Sequence, residues 1–261
     1  MKFLWSRLEK RWFFFALVLA VIISGLQFFP LKTIPPEDSP YTRWLGIDSF
    51  SFAPIAFFIL LPLLASIPAS TLLKDDYQSG LLSKFKLNEP LNRVLRQYVS
   101  IAFITGFIVT AIPLLINLCS WFMVLPNIRP DNLLNKNILV ININTMFVAL
   151  YYSHPLLHAL LSIIFASFWG GLFAIFGVVT SLWIKNRFLA MCSSLILQIV
   201  LLLLNAFIKL PNLVSYAPAD FLHETAPTAN VSLLVTGIVT LLLVLYCIVM
   251  FQIDKKRLVS L

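Results

Sequence analysis

Six apolar runs, set apart by short polar or proline-bearing segments, occupy most of the chain. They are Trp12–Phe29, Phe52–Leu73, Tyr98–Leu125, Leu156–Ile184, Phe188–Ile208 and Val231–Ile253. Their lengths are 18, 22, 28, 29, 21 and 23 residues. A helix of roughly 20 residues crosses a bilayer, so each run predicts a transmembrane span. The third and fourth exceed that length and are expected to tilt or project beyond the lipid. The fold class expected is an all-α integral membrane protein with one permease-like domain over residues 1–261.

The connections carry a second pattern. Leu73, Tyr77, Leu81 and Phe85 recur every four residues in the charged stretch Lys74–Gln97. That spacing places them on one face of a helix. A short amphipathic helix between the second and third spans needs a surface to dock on. Ahead of the first span, Phe3, Trp5, Leu8 and Trp12 alternate with charges and suit an interfacial helix. Pro30, Pro35, Pro36 and Pro40 predict an extended first outer connection. The stretch Ile138–Val148 is apolar enough to lie on the membrane surface, and 210–230, broken by Pro211, Pro218 and Pro227, fits a partly inserted loop.

Inside the spans, three features stand out. Pro54, Pro62 and Pro68 lie in the second run, each lacking a backbone donor and able to kink it. Ala166, Gly170 and Ala174 make a small stripe in the fourth, which permits close helix approach. Gln198 and Asn205 lie seven residues apart in the fifth, two turns along one face. An amide facing lipid goes unpaired, so that face should meet protein or a water-filled cavity. Gln198, Asn205, Pro62 and Pro68 are therefore candidates for a translocation path. A hydrogen bond between neighbouring helices of one subunit explains the two amides equally well.

Composition agrees with the pattern. Hydrophobic residues are 60% of the chain and charged residues 11%, against about 45–50% and about 25% in soluble domains. Of the nineteen Lys and Arg, fourteen fall at the two termini and in the segments after the second and fourth spans. The positive side faces the cytoplasm, which puts both termini and Lys74–Gln97 inside. The charge of +8 thus follows from topology and gives no indication of nucleic-acid binding. The multi-pass chain is expected in the inner (plasma) membrane.

Several chemistries lack their residues. No Asp, Glu, Lys or Arg lies within the six runs, and ion-coupled carriers usually keep such groups as relays. There is no P-loop, no H-E-x-x-H and no G-x-S-x-G. Cys119, Cys192 and Cys247 lie in separate spans and read as packing residues. His154 and His158, with His223 and Glu224 in another loop, can be drawn as a metal site, but interfacial histidine suits them better and no metal is expected.

The chain resembles the membrane subunit of type-two ATP-binding-cassette exporters. The residues that carry the likeness are Asp75-Asp76, then Gly80-Leu81-Leu82, then Pro90-Leu91-Asn92-Arg93 before the third span. Gln97 stands where that family often has Lys, and Ser83–Glu89 is more basic than usual for it. The resemblance implies six spans with both ends inside and a coupling helix between spans two and three. It implies a non-enzymatic permease driven by a separate cytosolic ATP-binding subunit, which would hold the ATP and Mg, and a second permease copy. Asp75, Asp76, Tyr77, Gly80, Leu81, Leu82, Phe85 and Arg93 would form the ATPase-coupling element, with the acidic pair at its polar rim. Cargo would be hydrophobic or amphipathic, a bacteriocin-like peptide first, then a drug, lipid or glycan. Two other classes remain open: a six-span intramembrane enzyme built on His154 and His158, and a stand-alone membrane immunity or binding protein.

Overall fold

A computed structural model describes residues 2–29, 38–49, 51–82, 84, 90–131, 140–141, 143–225 and 229–259. Every regular element among them is helical: α1 (Lys2–Arg7), α2 (Lys10–Gly25, extended by a 3-10 turn Leu26–Phe28), α3 (Pro40–Arg43), α4 (Phe52–Ser66), α5 (Leu72–Gln78), α6 (Leu91–Val124), α7 (Val148–Ser153), α8 (Pro155–Ser181), α9 (Arg187–Phe207), α10 (Pro218–Leu222) and α11 (Leu233–Val259). Five of them, α2 with its 3-10 extension, α6, α8, α9 and α11, are long and apolar enough to cross a membrane. The chain is a helical protein of the multi-pass membrane type. Exposed Phe, Leu, Ile and Val cover the outer faces of α2, α9 and α11, which in lipid carries no penalty.

Packing centres on α8, which runs against α4, α6, α9 and α11. Its small stripe explains the closest of these approaches. A Cβ on Gly170 would sit 2.1 Å from Thr110 Oγ1, and one on Gly106 would sit 2.6 Å from the Gly170 carbonyl. Helices α6 and α8 therefore meet backbone to backbone, as small residues allow. The stripe serves packing within the subunit here.

The second apolar run departs from its expected single span. Helix α4 has 15 residues and stops at Ser66. Turns over 67–71, containing Pro68, lead into the separate seven-residue α5. The cause is local: Pro68 cannot donate to Leu64, and helical pairing lapses there. Conversely, α6 begins at Leu91, seven residues before the predicted third span, the polar Asn92, Arg93, Arg96 and Gln97 lying on about two leading turns.

Side-chain contacts sort the connections into two ends. At one, α1, α5, the 182–187 turn and the end of α11 meet: Arg7 pairs with Asp76, Asp75 with Arg187, and Trp183 Nε1 donates to Asp254. At the other, the segments 38–51, 126–131, 140–146 and 210–230 meet through Tyr41–Asn127, His223–Asp48 and the backbone bond from Val231 to Ile143. The expected surface segment Ile138–Val148 is described only in part; Val140 is buried and Ile143 exposed. In the 210–230 connection, α10 and a short parallel bridge, Val214 to Asn230, are folded against the helical bundle.

Candidate functional site

The charged stretch after α4 is built around a buried acid. Asp76 is fully buried on α5. Its two oxygens are both used: Oδ1 pairs with Arg7 of α1 at 2.5 Å, and Oδ2 accepts from the Tyr98 hydroxyl of α6 at 2.6 Å. Asp76 is therefore an internal tie and not part of a polar rim. Burying a carboxylate is tolerable only with such partners. Asp75, one residue earlier, turns outward and pairs with Arg187 at 3.0 Å. Lys74 is buried too, its Nζ donating to the carbonyls of Ile184 and Lys185 at 2.7 and 2.8 Å. Those carbonyls follow the end of α8, where backbone acceptors run out of helical partners.

The apolar ridge is split between inside and outside. Leu73 and Leu82 are buried among Leu8, Val94, Leu95 and Tyr98. Tyr77 packs partly on that cluster, and Tyr77 and Leu81 stay half-exposed. Gly80 is exposed with φ +71, a left-handed turn after α5 that favours glycine. Arg93 is exposed on the first turn of α6. Phe85 lies outside the described residues.

The candidate path residues hold helices together. Pro62 lacks the N–H that would meet the Phe58 carbonyl four residues back. Gln198 of α9, fully buried, reaches that carbonyl with Nε2 at 2.6 Å and the Ile59 carbonyl at 3.0 Å. One turn earlier, Ser194 donates to the Pro62 carbonyl and lies 2.6 Å from Ser66 Oγ. Asn205 is 3.4 Å from Asp220 Oδ2, which also accepts from Ser215 at 2.6 Å. Burial pushes Asp220 above the ordinary carboxylate range, against the pull of the Ser215 hydrogen bond. Gln198 and Asn205 thus bond to different segments, and Pro68 marks the break after α4.

The end of the molecule opposite α5 holds a polar cluster whose histidines the sequence suggests as interfacial or loop residues. His158 Nε2 faces the Met146 carbonyl at 2.8 Å and Glu224 Oε2 at 3.1 Å, while Ser162 donates to the other Glu224 oxygen. Both members of the pair are buried. Ser162 hydrogen-bonds the carboxylate and not the imidazole, so the order of a serine-hydrolase relay is absent from this trio. Among the described residues, no three His, Cys, Asp or Glu side chains gather as metal ligands would. The sequence singles out both His158 and Glu224, but not Ser162; Ser162 lies four residues after His158, and its partner Glu224 lies 62 residues beyond it.

No family model, no curated protein and no solved structure matches this chain.

Proposed function

We propose that the chain is the membrane permease of an ATP-binding-cassette exporter, crossing the bilayer six times with both termini and the Lys74–Gln97 segment in the cytoplasm. The sixth crossing would be α4 with the turns that follow it. One observation carries the reading. The short helix α5 is anchored on three sides, to α1 by Arg7–Asp76, to α6 by Tyr98–Asp76 and to the α8–α9 turn by Lys74 and Asp75. It still leaves Tyr77, Gly80 and Leu81 at the surface. A segment so braced transmits a push to several helices at once. A passive surface loop has no use for two buried charges.

On this reading Tyr77 and Leu81 contact a cytosolic ATPase, with Arg93 and Lys84 beside them, and the ATPase supplies the nucleotide chemistry. A second permease copy completes the transporter, and the cargo is hydrophobic or amphipathic. The test is co-purification of the chain with a cytosolic P-loop ATPase from its native cells. Wild type should bring down a stoichiometric ATPase, and Tyr77→Asp with Leu81→Asp should lose it while remaining inserted. Retention of the ATPase by the double variant removes α5 as the docking element. Isolation without any ATPase favours the stand-alone binding protein.

A further inference from the structure

A cleft of about 570 Å³ opens between α8 and α11, within the usual size of a small-molecule site. Its walls are chiefly Phe147, Leu161, Phe165, Leu233, Leu241 and Val244. Its polar groups are few: Glu224, Ser162, Thr236 and Thr240. Ser162 already donates to Glu224, and Thr240 donates to the Thr236 carbonyl. Thr236 Oγ1 is different. The residue is 3% exposed, and its hydroxyl has no hydrogen-bond partner among the described residues. Glu224 is 1% exposed, and its Oε2 meets only the His158 Nε2–H, which also faces the Met146 carbonyl. One N–H shared between two acceptors leaves that carboxylate with unused capacity.

We propose that this cleft binds a single-chain amphiphile whose head is a primary ammonium. The ammonium donates to Glu224 and to the Thr236 hydroxyl, and the alkyl chain lies along α11 toward Val244. Three observations select this ligand. Among the described residues the only charged group in the wall is an acid, so a cationic head is the electrostatic complement. The Thr236 hydroxyl has no partner among the described residues and Glu224 Oε2 has only a shared N–H, while an ammonium supplies three N–H groups. From Leu233 to Val244 the wall rises about 16 Å along the helix axis, with apolar side chains past the head position, and the volume suits one chain. Gly237 faces this space with nothing within 4 Å of where a Cβ would stand. The site requires no ATPase partner and stands apart from the exporter reading.

The experiment uses the full chain in phosphatidylcholine nanodiscs and a diazirine-bearing dodecylamine, with the labelled peptides mapped by mass spectrometry. Label is expected on 156–165 or 233–244. Dodecylammonium should compete, and dodecanoate should compete at least about tenfold less well, since a like charge would face Glu224. Glu224→Gln should weaken labelling by about tenfold, the worth of one charge-assisted hydrogen bond. Gly237→Phe, which fills the space without displacing backbone, should abolish labelling while thermal stability stays unchanged. If Glu224→Gln fails to fold, the Gly237→Phe result and the comparison of head groups decide. Label confined to the neighbouring cleft of Trp169, Leu201 and Tyr246, equal competition by dodecanoate, or full labelling of Gly237→Phe each overturns the proposal.

Discussion

The side-chain amide of Gln198 occupies the place at the Phe58 carbonyl that a backbone N–H would fill if residue 62 were not proline. A gap in the hydrogen bonding of one helix is thereby closed by a side chain from another. In hydrocarbon an unpaired carbonyl has no water to turn to, so Pro62 and Gln198 are energetically one unit. Gln198→Leu should destabilise the protein by about 1–2 kcal/mol. In a Pro62→Ala background the same change should cost markedly less, because the restored N–H serves Phe58. Reversible unfolding of the four proteins gives the coupling energy, and strict additivity would rule the relationship out.

Two glycines should respond oppositely to enlargement. Gly170→Val forces a methyl into Thr110 and the α6 backbone, and is expected to cost about 1–3 kcal/mol. Gly237→Ala meets open space and should lie within about 0.5 kcal/mol of wild type. Thermal unfolding in one detergent compares them directly. Equal changes at the two positions would mean that the α6–α8 approach does not set the cost at Gly170.

Arg7→Ala should loosen α1 and destabilise the protein by roughly 1–3 kcal/mol, since it leaves a fully buried carboxylate with Tyr98 as its hydrogen-bond donor. The estimate sits below that for a fully buried pair because the Arg7 side chain is 37% exposed to solvent. Limited proteolysis around Arg7–Lys10 should speed up in Arg7→Ala and in Asp76→Asn. Unchanged cleavage in both would show that the pair does not hold the N-terminal helix.

His223 is kept below its ordinary value of 6.5, chiefly because burial penalises the charged ring; its bond to the Asp48 carbonyl and nearby acids oppose this. The unfolded or opened loop therefore binds a proton before the folded one does. Stability of the 217–225 segment should be fully present above about pH 6.5 and fall as pH drops below it. Protection factors across 217–225, corrected for the base-catalysed intrinsic rate, should fall on that acid side, and His223→Gln should flatten the response. Protection that rises on acidification has the wrong sign for this account.

Orientation is open to a direct chemical test. In a variant with Cys119, Cys192 and Cys247 replaced by Ala, an impermeant maleimide should label Ile128→Cys in intact cells and leave Lys84→Cys unlabelled until the cells are opened. The reverse result inverts the charge-based topology.

The sequence made the long helices legible because apolar length is a local property; α2, α8, α9 and α11 fall close to their expected runs. It placed three prolines able to kink the second run but not where the helix would end; α4 stops at Ser66, and the apolar residues Ile67–Leu73 look continuous across Pro68. It placed Asp76 on a rim because a charge in a polar stretch reads as solvated; Arg7 and Tyr98, which draw it inward, are 69 and 22 residues away. The notion that Gln198 must face protein followed from lipid chemistry alone, while the choice of Phe58 as its partner required the fold. His158 and Glu224 come together in the sequence only as part of a possible metal set; their pairing with each other joins helix α8 to a distant connection, and no sequence spacing selects it.

The missing Pro68 donor also bears on what a shift of α5 would reach. Ile67 and Ser70 still donate to the Leu63 and Ser66 carbonyls, so the joint between α4 and α5 is weakened at one rung and not severed. Lys74 and Asp75 meanwhile tie α5 to the turn joining α8 and α9, and Asp76 ties it to α1 and α6. Any displacement of α5 would therefore be shared among α1, α4, α6 and the α8–α9 turn and not borne by α4 alone.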